Sequence, residues 1–199
     1  IDLSGSDIDG EAAEDLSGFA VSLSDDVVVA IGAGHNDGNG NGSGHVRIYQ
    51  NVNGTWTQVG SDIDGKAMHE ISGFSVSLSA DGSVVAIGAP SNDGNGGRYR
   101  GHVRVYDWDG AAWTQVGADI DGEAAGDQSG SSVAMSPDGT RIAIGAPGND
   151  DGNAAVDALK GFGATPVRDE RVVIDGKYVT AAGVSAGILK RLSSTGLSI

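Results

Sequence analysis

Three short acidic motifs carry the most direct candidate chemistry. Asp7-Ile8-Asp9-Gly10 returns as Asp62-Ile63-Asp64-Gly65 and again as Asp119-Ile120-Asp121-Gly122. Two carboxylates two residues apart beside a glycine form part of a D-x-D-x-D-G calcium loop, in which alternate oxygens face one ion. The position after the glycine holds Glu11, Lys66 and Glu123, and an ammonium at Lys66 works against a bound cation. A solvated turn is the competing reading. A second set of loops is richer in oxygen donors: Asn36, Asp37 and Asn39; Asn92, Asp93 and Asn95; Asn149, Asp150 and Asn153. These nine residues are the candidate calcium ligands, and they equally suit hydrogen bonding to a glycan. Asn-Gly and Asp-Gly steps are also what any tight turn demands, so both readings stand.

Other side chains offer less. His45 and His102 recur at equivalent positions, as do Trp56 and Trp113. One ion would need both histidines close in space, whereas equivalent positions of adjacent units lie too far apart. The tryptophans are expected to pack between units. No Ser/His/Asp relay is recognisable, and the Gly-rich segments lack the Lys-Ser/Thr ending of a phosphate-cradling loop. The chain contains no cysteine, which excludes disulfides, thiolate metal sites and a cysteine nucleophile.

The elements that must position these residues repeat. Asp7 to Asp62 is a step of 55 residues and Asp62 to Asp119 a step of 57; self-similarity at such a period signals a repeat architecture. In the middle copy, Phe74, Val76 and Leu78 alternate with serines, the period-2 pattern of a half-buried strand. Asp81-Gly82 is a hairpin turn, because glycine tolerates the positive φ that matches strand twist. Val84–Ala89 reads as a strand covered on both faces. After the polar loop, His102–Tyr106 forms a third strand, and Asp109-Gly110 turns the chain into a fourth around Trp113. The first copy matches through Phe19, Val21, Leu23, His45–Tyr49 and Trp56. The third carries Val133 and Met135 but stops near residue 153. The units are therefore residues 7–60, 62–117 and 119–153, with a boundary near residue 154. Four-stranded antiparallel units repeating radially are the blades of a β-propeller.

Ser72-Gly73-Phe74-Ser75-Val76-Ser77, Val85-Ala86-Ile87-Gly88-Ala89-Pro90 and Gly101-His102-Val103-Arg104-Val105-Tyr106 resemble FG-GAP repeats, the blades of integrin-α-type propellers and of many secreted microbial and algal surface proteins. The resemblance covers about residues 1–153. It implies a mainly β fold of about two and a half blades, an incomplete ring, and a binding surface rather than chemistry. In integrin-type blades the calcium loop lies between the first two strands; here that connection is only Asp81-Gly82 or Asp138-Gly139, too short to wrap an ion.

Residues 157–190 are similar to something else. Phe162 to Arg168, Arg171-Val172-Val173-Ile174-Asp175-Gly176 and Val179 to Ile188 resemble the C-terminal part of PfpI-type intracellular proteases and isonitrile hydratases. Locally they predict a β-hairpin around Asp175-Gly176 and a short helix from about Val184 to Leu192. That family's reactive cysteine has no counterpart in this sequence.

Composition narrows the function. Twenty-seven Asp and Glu against twelve Lys and Arg give a formal charge of −15, unsuited to nucleic acid or anionic membrane, since phosphate binding needs clustered Lys and Arg. The 34 glycines, well over twice the usual ~7%, come with few prolines and no collagen period, so they serve turns. No apolar run reaches the ~18 residues of a membrane span. Ile1-Asp2 is not a natural translation start, so the sequence reads as a processed or trimmed piece. The expectation is a non-catalytic, secreted or surface-located β-repeat protein for binding, adhesion or assembly, with a protein or glycan partner or with self-association through open blade edges. The alternatives are an inactive remnant of a PfpI-type enzyme and a calcium-dependent adhesion module. Two and a half blades leave open edges, to be met by another chain, by sequence missing here, or by a hairpin at Arg171–Thr180 that supplies the two strands the third unit lacks.

Overall fold

The alternation of apolar and small polar residues becomes antiparallel sheet at each repeat. The structure, a computed structural model, describes residues 7–94 and 97–149, together with the backbone of strands at 160–161, 171–174 and 177–180. In the first unit, β1 (Ala20–Leu23), β2 (Val28–Ala33), β3 (His45–Val52) and β4 (Thr55–Gln58) lie side by side in that order. The second unit repeats this with β6 (Ser75–Leu78), β7 (Val84–Ala89), β8 (His102–Trp108) and β9 (Trp113–Gln115). The register is the same in both: Val21 faces Ile31 as Val76 faces Ile87, and Ile31 faces Arg47 as Ile87 faces Arg104.

The Asp-Ile-Asp-Gly motifs provide a strand that the turn and calcium readings did not anticipate. β5 (Ile63–Asp64) pairs with β3, Ile63 opposite Val46, and β10 (Ile120–Asp121) pairs with β8, Ile120 opposite Val103. The sheets of the first and second units thus have five strands each rather than four. The cause is a break in the fourth strand. β4 covers only the far half of β3, so the near half still has free backbone groups, and the next repeat's motif satisfies them.

Stacking of the units creates the core. Val76 and Leu78 pack with Val28, Ala30, Val46 and Ile48 of the first unit. Ile142 and Ile144, with Val133 and Met135 beside them, pack on Ala86, Val103 and Val105 of the second. The serines of the inner strands face the following unit, where Ser22 Oγ accepts from the Leu78 N–H and Ser77 Oγ from the Met135 N–H, each at 3.0 Å. The glycines in the apolar second strand let the units approach. A Cβ on Gly88 would collide with the carbonyl oxygen of Gly130, and one on Gly32 with that of Gly73.

The third unit has β11 (Ser132–Met135), β12 (Arg141–Gly145) and a two-residue β13 (Lys160–Gly161) beside β12. The predicted C-terminal hairpin forms as β14 (Arg171–Ile174) and β15 (Lys177–Thr180), paired from Arg171 opposite Thr180 to Ile174 opposite Lys177. Its expected role in completing the third unit is not met, because β14 and β15 make a sheet of their own and the partner of β12 is β13. The turn at 175–176, the helix over 184–192 and the boundary near residue 154 lie outside the described residues. Among the described residues, no helix is long and apolar enough to cross a membrane.

Candidate functional site

The oxygen-rich loops hold themselves together with the side chains predicted to bind calcium. Asn36 is buried; its Oδ1 accepts from the Gly38 N–H and its Nδ2 donates to Asp15 at 2.9 Å. Asn92 does the same with the Gly94 N–H and with Glu70, at 2.8 Å. Asp37 accepts from the Gly42 N–H, and Asp93 from the Tyr99 N–H. Asn39 Nδ2 donates to the Gly65 carbonyl at 2.7 Å. The Asn149 N–H donates to the Ala146 carbonyl. The side-chain oxygens of Asn36, Asp37, Asn92 and Asp93 thus satisfy loop N–H groups, as Asx turns do. Asn95, Asp150 and Asn153 lie outside the described residues.

A different constellation gathers where each unit meets the loop leading into it. In the second unit Glu70 is 1% exposed, and its carboxylate accepts from the Lys66 N–H at 2.7 Å and from Asn92 Nδ2. Arg104, on β8, donates to Glu70 at 3.3 Å, to Ser72 Oγ at 2.9 Å, to the Asp64 carbonyl at 3.0 Å and to Tyr106 Oη at 2.8 Å. A buried guanidinium is tolerable only when its donors meet acceptors in this way. Burial raises the Tyr106 pKa, with the Arg104 charge opposing. Asp15 and Asp127 take the place of Glu70 in the neighbouring repeats and are likewise buried. Asp127 accepts from the Glu123 and Ala124 N–H groups.

Beside each arginine sits a buried histidine facing carboxylates. His102 Nδ1 is 3.7 Å from Asp119 Oδ2, and its Nε2 is 3.9 Å from Glu70 Oε1. Burial lowers the His102 pKa; Glu70 pulls it up, Arg104 pushes it down, and the net direction is down. Burial works against the charge of Asp119, but hydrogen bonds from Lys66 and Gln115 outweigh it and hold that carboxyl below its ordinary value. In the first unit His45 Nδ1 lies 3.8 Å from both Glu11 Oε2 and Asp62 Oδ2. Gln58 Nε2 donates to the other oxygen of Asp62 at 2.6 Å, as Gln115 does to Asp119 at 2.8 Å. The repeat explains why the two histidines recur, as expected. The acids that close around His45 come from positions 34 residues before it and 17 after it; Glu11 directly follows one Asp-Ile-Asp-Gly motif and Asp62 opens the next, but nothing in their spacing joins them to His45.

The tryptophans divide. Trp113 Nε1 donates to the Val59 carbonyl at 2.8 Å and its ring stacks obliquely with Trp108, so it spans two units. With Tyr106, Asp62 and Asp64 it lines a cleft between the first and second units. Trp56, its counterpart, is half-buried.

The same strand position differs between the outer and the inner units of the stack. Phe19, Val21 and Leu23 are 59%, 63% and 66% exposed, whereas their counterparts Val76 and Leu78 are only 8% and 7% exposed. No protein-family model matches the chain, and the search of curated proteins finds no match.

Proposed function

We propose that this chain is a non-catalytic module of FG-GAP-like propeller repeats, secreted or at the cell surface, that works by assembly and adhesion through its open sheet faces. The observation that carries this reading is the apolar stripe Phe19, Val21 and Leu23 on and just before β1. Every other inner strand lays these side chains on the unit before it. This stripe has the same chemistry; Phe19 touches the Phe74 ring, 5.1 Å between centroids, and Val21 and Leu23 stay 63% and 66% exposed. Burying two branched aliphatic side chains contributes about 1.5–3 kcal/mol each toward the docking of a second sheet there. The partner proposed is the complementary face of another repeat unit, offered by a second copy of the chain.

Light scattering on a size-exclusion column tests this. The wild-type chain is expected to run as a discrete oligomer or a larger polydisperse species, and the Val21→Asp/Leu23→Asp variant as a monomer near 20 kDa. A wild-type monomer would sink the reading.

A further inference from the structure

We infer that Glu11, His45 and Asp62 form a site for one divalent d-block cation of the zinc class, which clips the leading loop of the first unit onto its sheet. The inference is independent of the assembly reading above. Three features of the geometry support it. First, the ligand atoms Glu11 Oε2, His45 Nδ1 and Asp62 Oδ2 lie within 4.8 Å of one another. Zinc bond lengths of about 2.0–2.2 Å separate neighbouring ligands of a tetrahedron by about 3.3–3.6 Å. The 3.8 Å from the imidazole nitrogen to each carboxylate closes to that range with movements of a few tenths of an ångström.

Second, the His45 nitrogen that faces the two acids is engaged by no hydrogen bond. The side chain is 2% exposed, and its Nε2 makes no hydrogen bond. At 3.8 Å, Nδ1 is beyond hydrogen-bond distance of both carboxylates. A cation between Nδ1 and the two oxygens would give Nδ1 the partner it lacks and fix the ring proton on Nε2. The remaining contacts hold the ligands in place without occupying them. Gln58 binds Oδ1 of Asp62, leaving Oδ2 toward the histidine, and Arg47 Nη1 lies 3.8 Å from the far oxygen of Glu11.

Third, the second unit fills the equivalent place with a cation of its own. There Lys66 replaces Glu11, and its ammonium sits 2.6 and 2.9 Å from the two oxygens of Asp119, beside His102. The His–Asp corner is thus built to face positive charge. Where the sequence supplies an ammonium it sits on the Asp oxygens themselves; in the first unit Arg47 reaches only the far oxygen of Glu11, and Glu11 Oε2 and Asp62 Oδ2 face His45 with no cation of the chain between them. One imidazole with two carboxylates suits a borderline d-block ion, whereas calcium takes six to eight oxygens. Glu11 is 46% exposed, which gives the ion a way in.

Zinc titration by calorimetry and by thermal melting tests the site with three proteins. The wild-type chain should bind one equivalent, with Tm raised by roughly 5–10 °C at a hundredfold excess over Kd, while calcium at the same concentration has little effect. Glu11→Lys reproduces the second unit's ion pair, so it should fold without metal and lose the zinc response. Lys66→Glu recreates the triad around His102 and should bind a second equivalent. If Glu11→Lys fails to fold, Asp62→Asn serves in its place, since it keeps an oxygen for Gln58. Cobalt gives a further readout: an intense visible band in the wild type, absent in Glu11→Lys. No saturable zinc binding by the wild type, or undiminished binding in Glu11→Lys and Asp62→Asn, overturns the inference. A Lys66→Glu variant that stays at one equivalent overturns the equivalence of the two corners on which it rests.

Discussion

The first and second units share a register, a hairpin and an arginine at the same place on the third strand, yet they solve the burial of that arginine differently. Arg104 meets four acceptors, one of them a carboxylate that is itself 1% exposed. Arg47 donates to the Asp9 carbonyl at 2.7 Å and stands 3.8 Å from the half-exposed Glu11. The difference follows from one methylene and one charge. Asp15 is too short to reach where Glu70 reaches, and Glu11 replaces a lysine. Identical backbone scaffolds therefore support a closed internal ion-pair network at one junction and an open, solvent-accessible acid corner at the other.

Breaking each arginine measures that contrast, and here the largest effect is expected. Arg104→Ala strips the cationic partner from the buried Glu70 carboxylate and leaves it the Lys66 N–H and Asn92 Nδ2, a change that costs about 3–5 kcal/mol in buried pairs. Arg47→Ala leaves Glu11 free to hydrate, so its cost should be smaller by roughly 2 kcal/mol, as exposed pairs contribute little. Urea denaturation of both variants, in chelator, compares them directly. Equal losses would mean that the two junctions are energetically alike despite their different partners.

Much of this architecture was legible in the residues. The period-2 alternation of Val76 and Leu78, the Asp81-Gly82 turn and the apolar Val84–Ala89 run are local signals, and they became strands and turns where expected. The fifth strand was not legible, because Ile63 pairs with Val46 only once the break after β4 leaves backbone groups free. The acid–histidine corner was hidden for a related reason. Its members come from three elements far apart in sequence, and periodicity shows that His45 and His102 are equivalent without showing which acids approach them. The Asn and Asp loops point to the converse limit. Oxygen-rich composition is shared by ion sites and Asx turns, and only contacts such as Gly38 N–H to Asn36 reveal how these oxygens are used.

A smaller effect, and of opposite sign, should come from the hairpin of the first unit. Where the second and third units place Gly82 and Gly139 at φ of 70° and 67°, the first places Val27 at 59°. A β-branched residue in the left-handed region carries strain of about 1–2 kcal/mol. Val27 is also half-exposed, so its removal forfeits little burial. Val27→Gly should therefore stabilise the chain by about 1 kcal/mol net of the backbone entropy that glycine loses, visible as a Tm rise of a few degrees. No gain would mean that the first hairpin relaxes its strain elsewhere.

The smallest effect expected is the pH response of His102 at the second junction. Its pKa is lowered in the folded state, chiefly by burial and despite the pull of Glu70, whereas an unfolded histidine titrates near 6.5. Above about pH 6.5 both states hold it neutral and stability is full. As pH falls below that value the unfolded chain takes up a proton that the folded chain refuses, so stability declines until the folded value is reached. The depressed carboxyl of Asp119 adds its own loss only below about pH 4, its ordinary range, so the interval from 6.5 to 5 isolates the histidine. Denaturation at pH 7.5 and 5.5 in chelator should show a loss for the wild type that His102→Asn reduces. If the loss persists undiminished in that variant, the proton is taken up elsewhere, and the second junction is as indifferent to pH as a neutral core.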